Sequence, residues 1–600
     1  SERNKDINMS LFSSLYVGVS GLNAGQNSLN TTSHNLANVE TKGYVRQQVL
    51  QKDSTYLKLG INHVSTLQTG LGTDIAAVRQ VRDMFLDKSY RTEVGRKGFY
   101  EVQYEGTQEV EGLFGEMEGV AFQDTLNDFW ISLQELSKEP DDIVKRASLI
   151  QTSVNFIERA QNISKQLNDY QVNLNTQIIN QVNRINQIST EIGDLNKKIR
   201  YYESNGMEHA NDLRDRRNLL LDDLGEIARI TYRENKDGVV TVNLEGVQLV
   251  TEDNTYKIGL EKVSESSDML KPVWESNGDD VFDLSRAASI GKGTDLGLLK
   301  GLLVTRGTKQ AKYTDIPDPN NTDPAYDYQG RLDYYNNQVE TSVIMKAQAQ
   351  FDRLIHGIVT TMNDILSPNK EITVAGNTTF TFADGTSLTV PAGGKIKILD
   401  VANAPVGMDD NETMGEALFN RKSMDRYKEI DENDYGVDLD GDGKLGKIKI
   451  YMEEDETDNY SLFTLGEIEV NPKLLNNYSF IPLSVKGGTG DYGIKTAEKL
   501  LEAWQNPFDT VSPNTLTKYN FNGYYTAFMG EVATRGEQLR TISENQGSMV
   551  NSIDSQRQQS IGVSSEEELT NLIKFQHAYN ASARYITVID DMLEHIIMRM

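Results

Sequence analysis

The stretch from Ser564 to Met600 reads SSEEELTNLIKFQHAYNASARYITVIDDMLEHIIMRM and carries a heptad pattern over its whole length. It begins with Ser565 three residues before Glu568, the spacing of a capping box, in which each side chain caps the backbone N–H of the other residue. Its heptad positions, which we call the seam, are Leu569, Leu572, Gln576, Tyr579, Ala583, Ile586, Asp590, Leu593, Ile597 and Met600. This alternation of three and four predicts a coiled-coil helix about 50 Å long, which needs a second helix to cover it.

A second heptad pattern lies at the opposite end of the chain. It contains Gly18, Gly21 and Gly25, and each glycine inside a helix costs about 1 kcal/mol relative to alanine. A single helix is already marginal in water, so we expect the two terminal helices to pair and to be ordered mainly by neighbouring molecules. The N-terminal positions are Leu11, Leu15, Gly18, Leu22, Gly25, Leu29, Thr32 and Leu36. The alternative is that both are ordinary helices of a bundle.

Two polar residues, Gln576 and Asp590, interrupt the C-terminal seam. Single polar residues at such positions set the register of a coiled coil, so we predict that role for them and not a catalytic one. Phe575, Ile589 and Ile596 widen the seam on one side.

The composition excludes several classes of protein. The formal net charge of −28 at pH 7 argues against nucleic-acid binding, where a basic face supplies most of the affinity. The chain has no cysteine, which excludes disulfides, cysteine-ligated zinc, iron–sulfur clusters and thiol catalysis. No apolar run reaches the roughly 18 residues of a membrane helix, and the polar start SERNKDIN predicts no cleaved signal peptide. A length of 600 residues suggests about four domains.

Periodicity divides the rest of the chain into helical and β-rich segments. The first helical segment contains a further long heptad, from Leu174 to Ile199. Helix is predicted for about 84–202, with breaks near Gly112 and Pro140, and for about 211–230, 296–307, 336–366 and 519–560. Extended or strand structure is predicted for about 45–81, 231–282 and 369–508.

Two segments resemble the signatures of the bacterial flagellar axial proteins, the family of rod, hook and hook-associated proteins. NLANVETKGYVRQ, residues 35–47, is similar to the signature that follows the N-terminal helix of that family. GVSSEEELTNLIKFQHAYNASARYITVIDDMLEHII, which starts at Gly562, is similar to the matching C-terminal signature. The length and the middle of the chain, including NDLRDRRNLLLDDLGEIARI (211–230), resemble the hook-associated members.

Together, the pattern and the resemblance predict an α+β multidomain fold with nested terminal coiled-coil helices, a long-helix bundle domain and two β-rich inserted domains. Residues 1–60 with 561–600 would form the coiled-coil domain of an inner tube. Residues 61–230 with 295–367 and 514–560 would form the helical core domain. Residues 231–294 would be the first β-rich insertion, and residues 368–513 the second, outer one.

The resemblance implies a structural protein and not an enzyme. It would polymerise at the distal end of the flagellar hook and connect hook to filament, and filament assembly would require it. The expected partners are further copies of the chain in head-to-tail contact, the hook protein, a second junction protein towards the filament and an export chaperone before secretion. Neither nucleic acid, nor membrane, nor any cofactor is expected. The implied location is the flagellum outside the cell, reached through type III export.

The residues predicted to form the assembly interface lie on the two terminal helices, because those seams need partners. They are Leu11, Leu15, Leu22, Leu29, Leu36, Leu569, Leu572, Tyr579, Ile586, Leu593 and Ile597. No catalytic residue is predicted.

One acidic stretch has the spacing of a metal site. Asp438, Asp440 and Asp442, followed by Gly443, match the first half of a calcium-binding loop, D-x-D-x-D-G. The twelfth position, which requires a bidentate glutamate, is Lys449. This lysine removes two oxygen ligands and adds a positive charge, so we expect a solvated acidic turn and no metal site.

A glycine-rich motif, G-x-G-x-x-G, occurs at Gly488, Gly490 and Gly493. A dinucleotide site also needs a βαβ unit and an acid on the second strand, and no apolar strand follows the helix that ends near Pro507. Cofactor binding is therefore not predicted. The six histidines show no metal-ligand spacing, and neither G-x-S-x-G nor a P-loop is present.

Three alternatives remain open. The first is another axial protein of hook or rod type, although the long heptad from Leu174 to Ile199 argues against the hook protein, whose body resembles a mostly β structure. The second is a secreted adhesive or calcium-binding surface module carried by the outer β domains. The third is a surface enzyme, which would need a nucleophile–base pair that the sequence does not display.

Overall fold

The structure is a computed structural model that describes residues 2–62, 65–115, 121–204, 209–265, 267–321, 323–441, 443–486 and 494–599. The side chains of residues 2–12, 57–62, 65–69 and 599 lie outside this description. Among the helices of these ranges, none has the length and apolar character needed to cross a membrane.

Most α-helices of the described ranges follow the helical segments predicted from periodicity, but three short ones do not: one precedes the segment 336–366, and two lie within 369–508, where extended structure was predicted. In chain order they are α1 (Glu2–Ala37), α2 (Met84–Phe114), α3 (Phe122–Lys138), α4 (Ile143–Glu203), α5 (Asn211–Ile227), α6 (Leu298–Arg306), α7 (Tyr328–Tyr334), α8 (Val343–Leu366), α9 (Pro472–Asn476), α10 (Ile494–Gln505), α11 (Phe521–Ile561) and α12 (Ser565–Arg599). The breaks predicted near Gly112 and Pro140 are confirmed, since they separate α2 from α3 and α3 from α4.

The described strands are short, and every pairing among them is antiparallel. In chain order they are β1 (Gln47–Asp53), β2 (Tyr56–Asn62), β3 (Ser65–Gly70), β4 (Thr73–Gln80), β5 (Ile230–Glu234), β6 (Val240–Leu244), β7 (Val247–Val250), β8 (Ile258–Lys262), β9 (Leu270–Trp274), β10 (Asn369–Thr373), β11 (Thr378–Thr381), β12 (Ser387–Val390), β13 (Lys395–Leu399), β14 (Phe419–Arg421), β15 (Tyr427–Asp431), β16 (Lys447–Tyr451) and β17 (Ile468–Val470). The widest sheet has the order β10-β13-β16-β15, and β5-β6-β7 form a three-stranded sheet. The predicted α+β multidomain class is confirmed.

Helix α4 is the longest element, with 61 residues. Asp142 caps its start by accepting a hydrogen bond from the backbone N–H of Val144 at 2.8 Å. The apolar positions of the heptad predicted from Leu174 to Ile199 are buried along it. At about 1.5 Å per residue this helix extends for roughly 90 Å, so it can contact several separate parts of the chain.

The main core lies where α2, α3, α4 and α8 meet. Phe351 of α8 makes edge-to-face contacts with Phe114 and Phe122, with ring centroids 4.9 and 5.0 Å away. Phe122 also contacts Phe156 of α4 at 5.7 Å. Such aromatic pairs stabilise a core beyond the burial of their area, and here they join four helices from distant parts of the sequence.

A second, separate core lies between the sheet of β10, β13, β15 and β16 and the β11–β12 hairpin. It includes Phe380, Ile398 and Ile450, all of which are buried. In contrast, Phe419 and Trp504 pack in the main core. Residues 368–513 therefore contribute to both cores, and their predicted division from the helical core stays a prediction.

Three asparagines on α4 and α8 hold strands against these helices. Asn186 exchanges two hydrogen bonds with the backbone of Ile258, at 2.8 and 3.0 Å. Asn196 exchanges two hydrogen bonds with the backbone of Val240, and Asn363 exchanges two with the backbone of Phe419. Each asparagine thus pairs with a strand residue as a neighbouring strand would, which satisfies backbone groups at an edge. We call Asn186, Asn196 and Asn363 the amide clamps.

The terminal helices α1 and α12 lie against each other over most of their length. Helix α1 also packs on β1 and β4, and residues 38–46 lead from α1 into β1. The pair is therefore attached to the helical body through a small area near the end of α1, the start of α12 and the β1–β4 hairpin.

Candidate assembly interface

Helix α12 faces α1 with two adjacent heptad rows. Glu568 and Ile589 are buried there, and the other members of the rows are half-buried. The rows contain Glu568, Phe575, Ser582, Ile589 and Ile596 on one side and Leu572, Tyr579, Ile586 and Leu593 on the other. Four of the predicted C-terminal interface residues thus lie in the contact between the terminal helices.

The other predicted row lies beside this contact. Leu569 and Ile597 are 48% and 71% exposed, and Gln576 and Asp590 are exposed as well. The seam predicted from the sequence lies one row away from the observed contact. The reason is that Glu568 and Ser582 are polar and break the apolar pattern of a seam, although both pack against α1. In a single chain Leu569 and Ile597 face solvent, so their predicted contribution to assembly stays a prediction.

On α1 the most buried side of the helix consists of small residues. Ala24, Ser28 and Thr32 are buried, whereas the predicted leucines of this helix lie at the edge of the contact. Leu15, Leu22, Leu29 and Leu36 are half-buried, and the side chain of Leu11 lies outside the described residues.

The three glycines of α1 lie where α12 comes closest. A Cβ atom added at Gly25 would lie 3.3 Å from the Cα of Tyr579, and one added at Gly21 would lie 2.7 Å from the hydroxyl of Ser582. At Gly18 the added atom would lie 2.8 Å from the Ile586 side chain. These glycines, which the sequence presented only as weak points of the helix, allow the close approach of the two backbones.

We expect Gly25→Val to weaken the contact between the two terminal helices. Valine has a helix propensity a few tenths of a kcal/mol better than that of glycine. In an isolated helix the substitution would therefore stabilise α1 and not weaken it. The measurement is limited proteolysis of the purified protein, in which α1 and α12 should be cleaved faster. Ser33→Val on the exposed side of α1 is the matched control, and equal behaviour of the two variants would contradict the close-contact explanation.

Helix α12 also exposes large apolar side chains on both flanks of its contact with α1. One flank carries Leu569, Ile573 and Ile597, which are about half exposed or more, and the other carries Val588 and Met592. Monomeric soluble proteins rarely expose contiguous apolar surface of this kind. The arrangement leaves two apolar sides of the helix pair free for other molecules.

The two terminal segments meet at a buried carboxylate, Glu568, which is 2% exposed. Arg46 donates from Nε to Glu568 Oε1 at 2.8 Å, and Asn35 donates from Nδ2 to Oε2 at 3.1 Å. A second nitrogen of Arg46 pairs with Glu567 at 2.8 Å, and the backbone N–H of Arg46 donates to Ile561 at 3.0 Å. We call Asn35, Arg46 and Glu568 the terminal junction.

The capping box predicted for Ser565 and Glu568 is wrong. The hydroxyl of Ser564 accepts from the backbone N–H of Glu567 at 3.4 Å, so the capping residue lies one position earlier. The carboxylate of Glu568 does not cap the helix start because it binds the guanidinium group of Arg46. A charged donor makes a stronger hydrogen bond with a carboxylate than a backbone N–H does.

Further side chains hold the segment between α1 and β1. Tyr44 donates to Asn35 Oδ1 at 2.8 Å, and burial together with nearby carboxylates raises the pKa of Tyr44. Burial alone would lower the pKa of Arg46, but its bonds to Glu567 and the nearby charge of Glu568 outweigh burial and raise it. Asp215 of α5 accepts from the backbone N–H of Val45 at 3.1 Å, and burial raises its pKa to about 7. Polar contacts thus fix the connection together with the buried side chain of Val45.

The sequence reading did not identify the terminal junction. Glu568 lies more than 500 residues after Asn35 and Arg46, and hydrophobic periodicity cannot reveal a pairing over such a distance in sequence. Two signals were available. Asn35 and Arg46 lie inside the N-terminal signature, and Glu568 lies seven residues before the seam-widening Phe575, where an apolar residue would be expected.

The acidic candidate site has a different organisation from a calcium loop. Carboxylate oxygens of Asp438, Asp440 and Glu432 lie within 4.8 Å of one another, while Asp442 is outside the described residues. Both carboxylate oxygens of Glu432 already accept hydrogen bonds from the backbone, namely from the N–H groups of Leu439 and Gly446 at 2.6 and 3.0 Å. Lys449 extends along β16 and donates to the carbonyl of Met414 at 2.9 Å.

We expect millimolar calcium to leave the melting temperature of the protein unchanged, because a ligand that does not bind adds nothing to stability. Differential scanning calorimetry with and without calcium measures this directly. A calcium-dependent rise that Asp440→Ala abolishes would contradict the expectation.

The glycine motif at Gly488, Gly490 and Gly493 lies outside the described residues. Its described surroundings differ from those of a dinucleotide site. Ser484, before the motif, pairs antiparallel with Val406, and α10 follows it, whereas the dinucleotide site needs parallel strands on both sides of the helix.

Three protein-family models match the chain. The flagellar hook-associated protein FlgK helical domain matches residues 107–380. The flagella basal body rod protein model matches residues 15–44, and the flagellar basal body rod FlgEFG protein C-terminal model matches residues 555–599. The two rod-protein matches cover α1 from residue 15 onward and the whole of α12, the helices that meet near the terminal junction.

Relatives of similar length match almost the whole chain. Flagellar hook-associated protein 1 of Bacillus subtilis is 25% identical over 98% of both chains. The protein of the same name from Salmonella typhimurium is 22% identical over 96% of this chain and 98% of its own. A solved structure of the flagellar hook junction protein FlgK from Burkholderia pseudomallei is 13% identical, with a TM-score of 0.46 over 79% of this chain and 100% of that one. Over nearly its whole length the chain is thus similar to flagellar hook-associated protein 1, and its middle and both ends match models of flagellar axial proteins.

Proposed function

We propose that this chain is a structural subunit that polymerises at the distal end of the flagellar hook and connects the hook to the filament. In this proposal α1 and α12 form the inner tube, the helical body forms the next layer, and the β-rich insertions lie outside. The chain has no catalytic role in the assembly. The observation that carries the proposal is the exposed apolar surface on both flanks of α12.

The helix pair supports a polymer because one chain covers only part of its apolar surface. Val588 and Met592 on one flank and Leu569 and Ile573 on the other remain about half exposed. Two different flanks on one helix fit a heterologous contact, in which one side of a copy binds the other side of the next. Repetition of such a contact builds a ring or a helical zone without additional factors.

The proposed partners follow from this position in the flagellum. Copies of the chain contact one another head to tail, the hook protein lies on one side, and a second junction protein lies on the side of the filament. Before secretion an export chaperone would cover the terminal helices, whose apolar flanks are exposed. The protein would reach its site outside the cell through the flagellum's own export apparatus.

Labelled electron microscopy of isolated flagella tests the proposal. A tag inserted in the exposed turn at Gly385, between β11 and β12, should appear as a narrow band between hook and filament. Deletion of the gene should leave hooks without filaments and flagellin in the medium. Label along the whole hook would instead support a hook-type protein, and label on the cell surface would support an adhesive module.

A further inference from the structure

A cleft rich in arginine lies at the start of α2. It has a volume of about 530 Å³, and its walls come from the end of β4, the start of α2, α5 and β5. Five arginines line it, namely Arg79, Arg82, Arg91, Arg214 and Arg233. In a chain with a net charge of −28, such a concentration of positive side chains is a distinct feature of the surface.

Three of the five arginines are already paired within the chain. Arg82 pairs with Asp87, Arg91 pairs with Asp222 at 2.7 Å, and Arg214 pairs with Glu203 at 2.7 Å. These pairs are partly or fully buried and fix the walls of the cleft.

The remaining two arginines, Arg79 and Arg233, are exposed at the cleft. In the described part of the chain neither guanidinium group has a hydrogen-bond or ion-pair partner. Met84 lines the same cleft and is 76% exposed, and its neighbour Phe85 is 74% exposed. Free arginines beside exposed apolar side chains are typical of a protein interface.

A complementary surface lies further along α2. Glu101, Glu105 and Glu109 follow one another at spacings of four, so their carboxylates form one row on the helix surface. Glu101 lies 3.6 Å from Lys97, whereas Glu105 and Glu109 have no cationic partner among the described residues. Burial and the nearby Glu101 raise the pKa of Glu105. We call these three residues the acidic ridge.

The cleft and the ridge lie on the same side of α2. Glu105 is 18 residues after Asp87, and Glu109 is 18 residues after Arg91. Eighteen residues make five turns of an α-helix, so each pair points in the same direction, about 27 Å apart along the axis. The cleft, whose free arginines come from β4 and β5, therefore lies beside the start of α2, and the free carboxylates lie further along the same side of that helix.

We propose that the arginine cleft of one copy binds the acidic ridge of a second copy of this chain. This inference rests on the proposed polymerisation and adds a contact in the helical body to the one in the terminal helices. Because cleft and ridge lie on one side of α2, the contact is heterologous and repeats along the assembly only when neighbouring copies are staggered along that helix. Charge complementarity sets its register, and Met84 and Phe85 supply apolar contact at the mouth of the cleft.

Cysteine cross-linking tests this contact, because the native chain contains no cysteine. Met84→Cys and Glu105→Cys are introduced together, and isolated flagella are mildly oxidised. The two positions lie on one helix about 32 Å apart, whereas a disulfide needs Cα atoms within about 7 Å. Any disulfide therefore joins different copies. A ladder of covalent oligomers on a non-reducing gel is expected, with no ladder from either single variant.

Reversal of the charges on the cleft and on the ridge is the second test of the contact. Arg79→Glu with Arg233→Glu, and separately Glu105→Lys with Glu109→Lys, should each reduce the number of filaments per cell, because like charges then face each other. All four substitutions in one chain restore opposite charges across the contact and should recover filaments. The altered groups are exposed, so circular dichroism of each purified variant should show an unchanged melting temperature.

The two proposals fail in different ways. Normal flagella without a cross-linked ladder would overturn the cleft–ridge contact and leave the proposed function intact. Failure of the fourfold variant to recover filaments, with its melting temperature unchanged, would overturn it as well. Absence of the protein from the hook–filament junction in labelled flagella would overturn the proposed function itself.

Discussion

Replacement of Leu572 and Ile586 together by aspartate is expected to abolish assembly and to leave the helical body folded. Both side chains lie in the contact between α1 and α12. Each substitution loses roughly 2 kcal/mol of apolar burial, and a desolvation penalty of several kcal/mol per unpaired carboxylate is added. Cells with this variant should carry hooks without filaments and release flagellin into the medium, which microscopy and immunoblotting measure.

The main core does not include either side chain, so the melting temperature of the purified protein should stay unchanged. Asn580→Asp is the control, because it adds one carboxylate at an exposed position of the same helix and should be mild. If the double variant builds normal filaments, α12 is not the polymerisation element, and the proposed function loses its main physical support.

The second large effect is expected from Arg46→Met, which leaves the buried carboxylate of Glu568 without its cation. Removal of one partner from a buried pair costs 3–5 kcal/mol, and we expect about 3 kcal/mol here, because Arg46 itself retains some contact with water. The start of α12 should then detach from the segment between α1 and β1. Limited proteolysis with mass spectrometry should reveal faster cleavage within residues 38–46, and filaments should be fewer.

The control for Arg46→Met is the double variant Arg46→Met with Glu568→Gln. It removes both charges and keeps a side-chain oxygen that can accept from Asn35. Replacement of both members of a buried pair is often nearly neutral, so the double variant should resist the protease better than the single one. A double variant that is cleaved faster still would mean that Glu568 acts through a different partner.

The periodic part of the structure was predictable from the sequence. The long heptad from Leu174 to Ile199 identified the buried side of α4, and Pro140 identified a break between helices. In both cases a local pattern along the chain decides the outcome, because burial of one helix face recurs every three or four residues. The row of the C-terminal helix that contains Leu572 and Ile586 was found for the same reason.

The side of α12 that faces α1 and the amide clamps depend on residues that are far away in the sequence. Whether Leu569 or Glu568 faces α1 is decided by Arg46 and by the space above Gly21, and neither can be inferred from the pattern of α12 alone. The amide clamps were missed because an asparagine inside a helix usually reads as a surface residue. Its role becomes visible only when the strand that it pairs with is known.

The amide clamps also determine how force would travel through the molecule. Asn186, Asn196 and Asn363 each exchange two hydrogen bonds with one strand residue. A force on one of these sheets acts on both hydrogen bonds of its clamp. The two clamps on α4 lie about 15 Å apart along that helix. Under the proposed function, a rotating filament that drags on these sheets would transfer its torque to α4 and α8 at these fixed points.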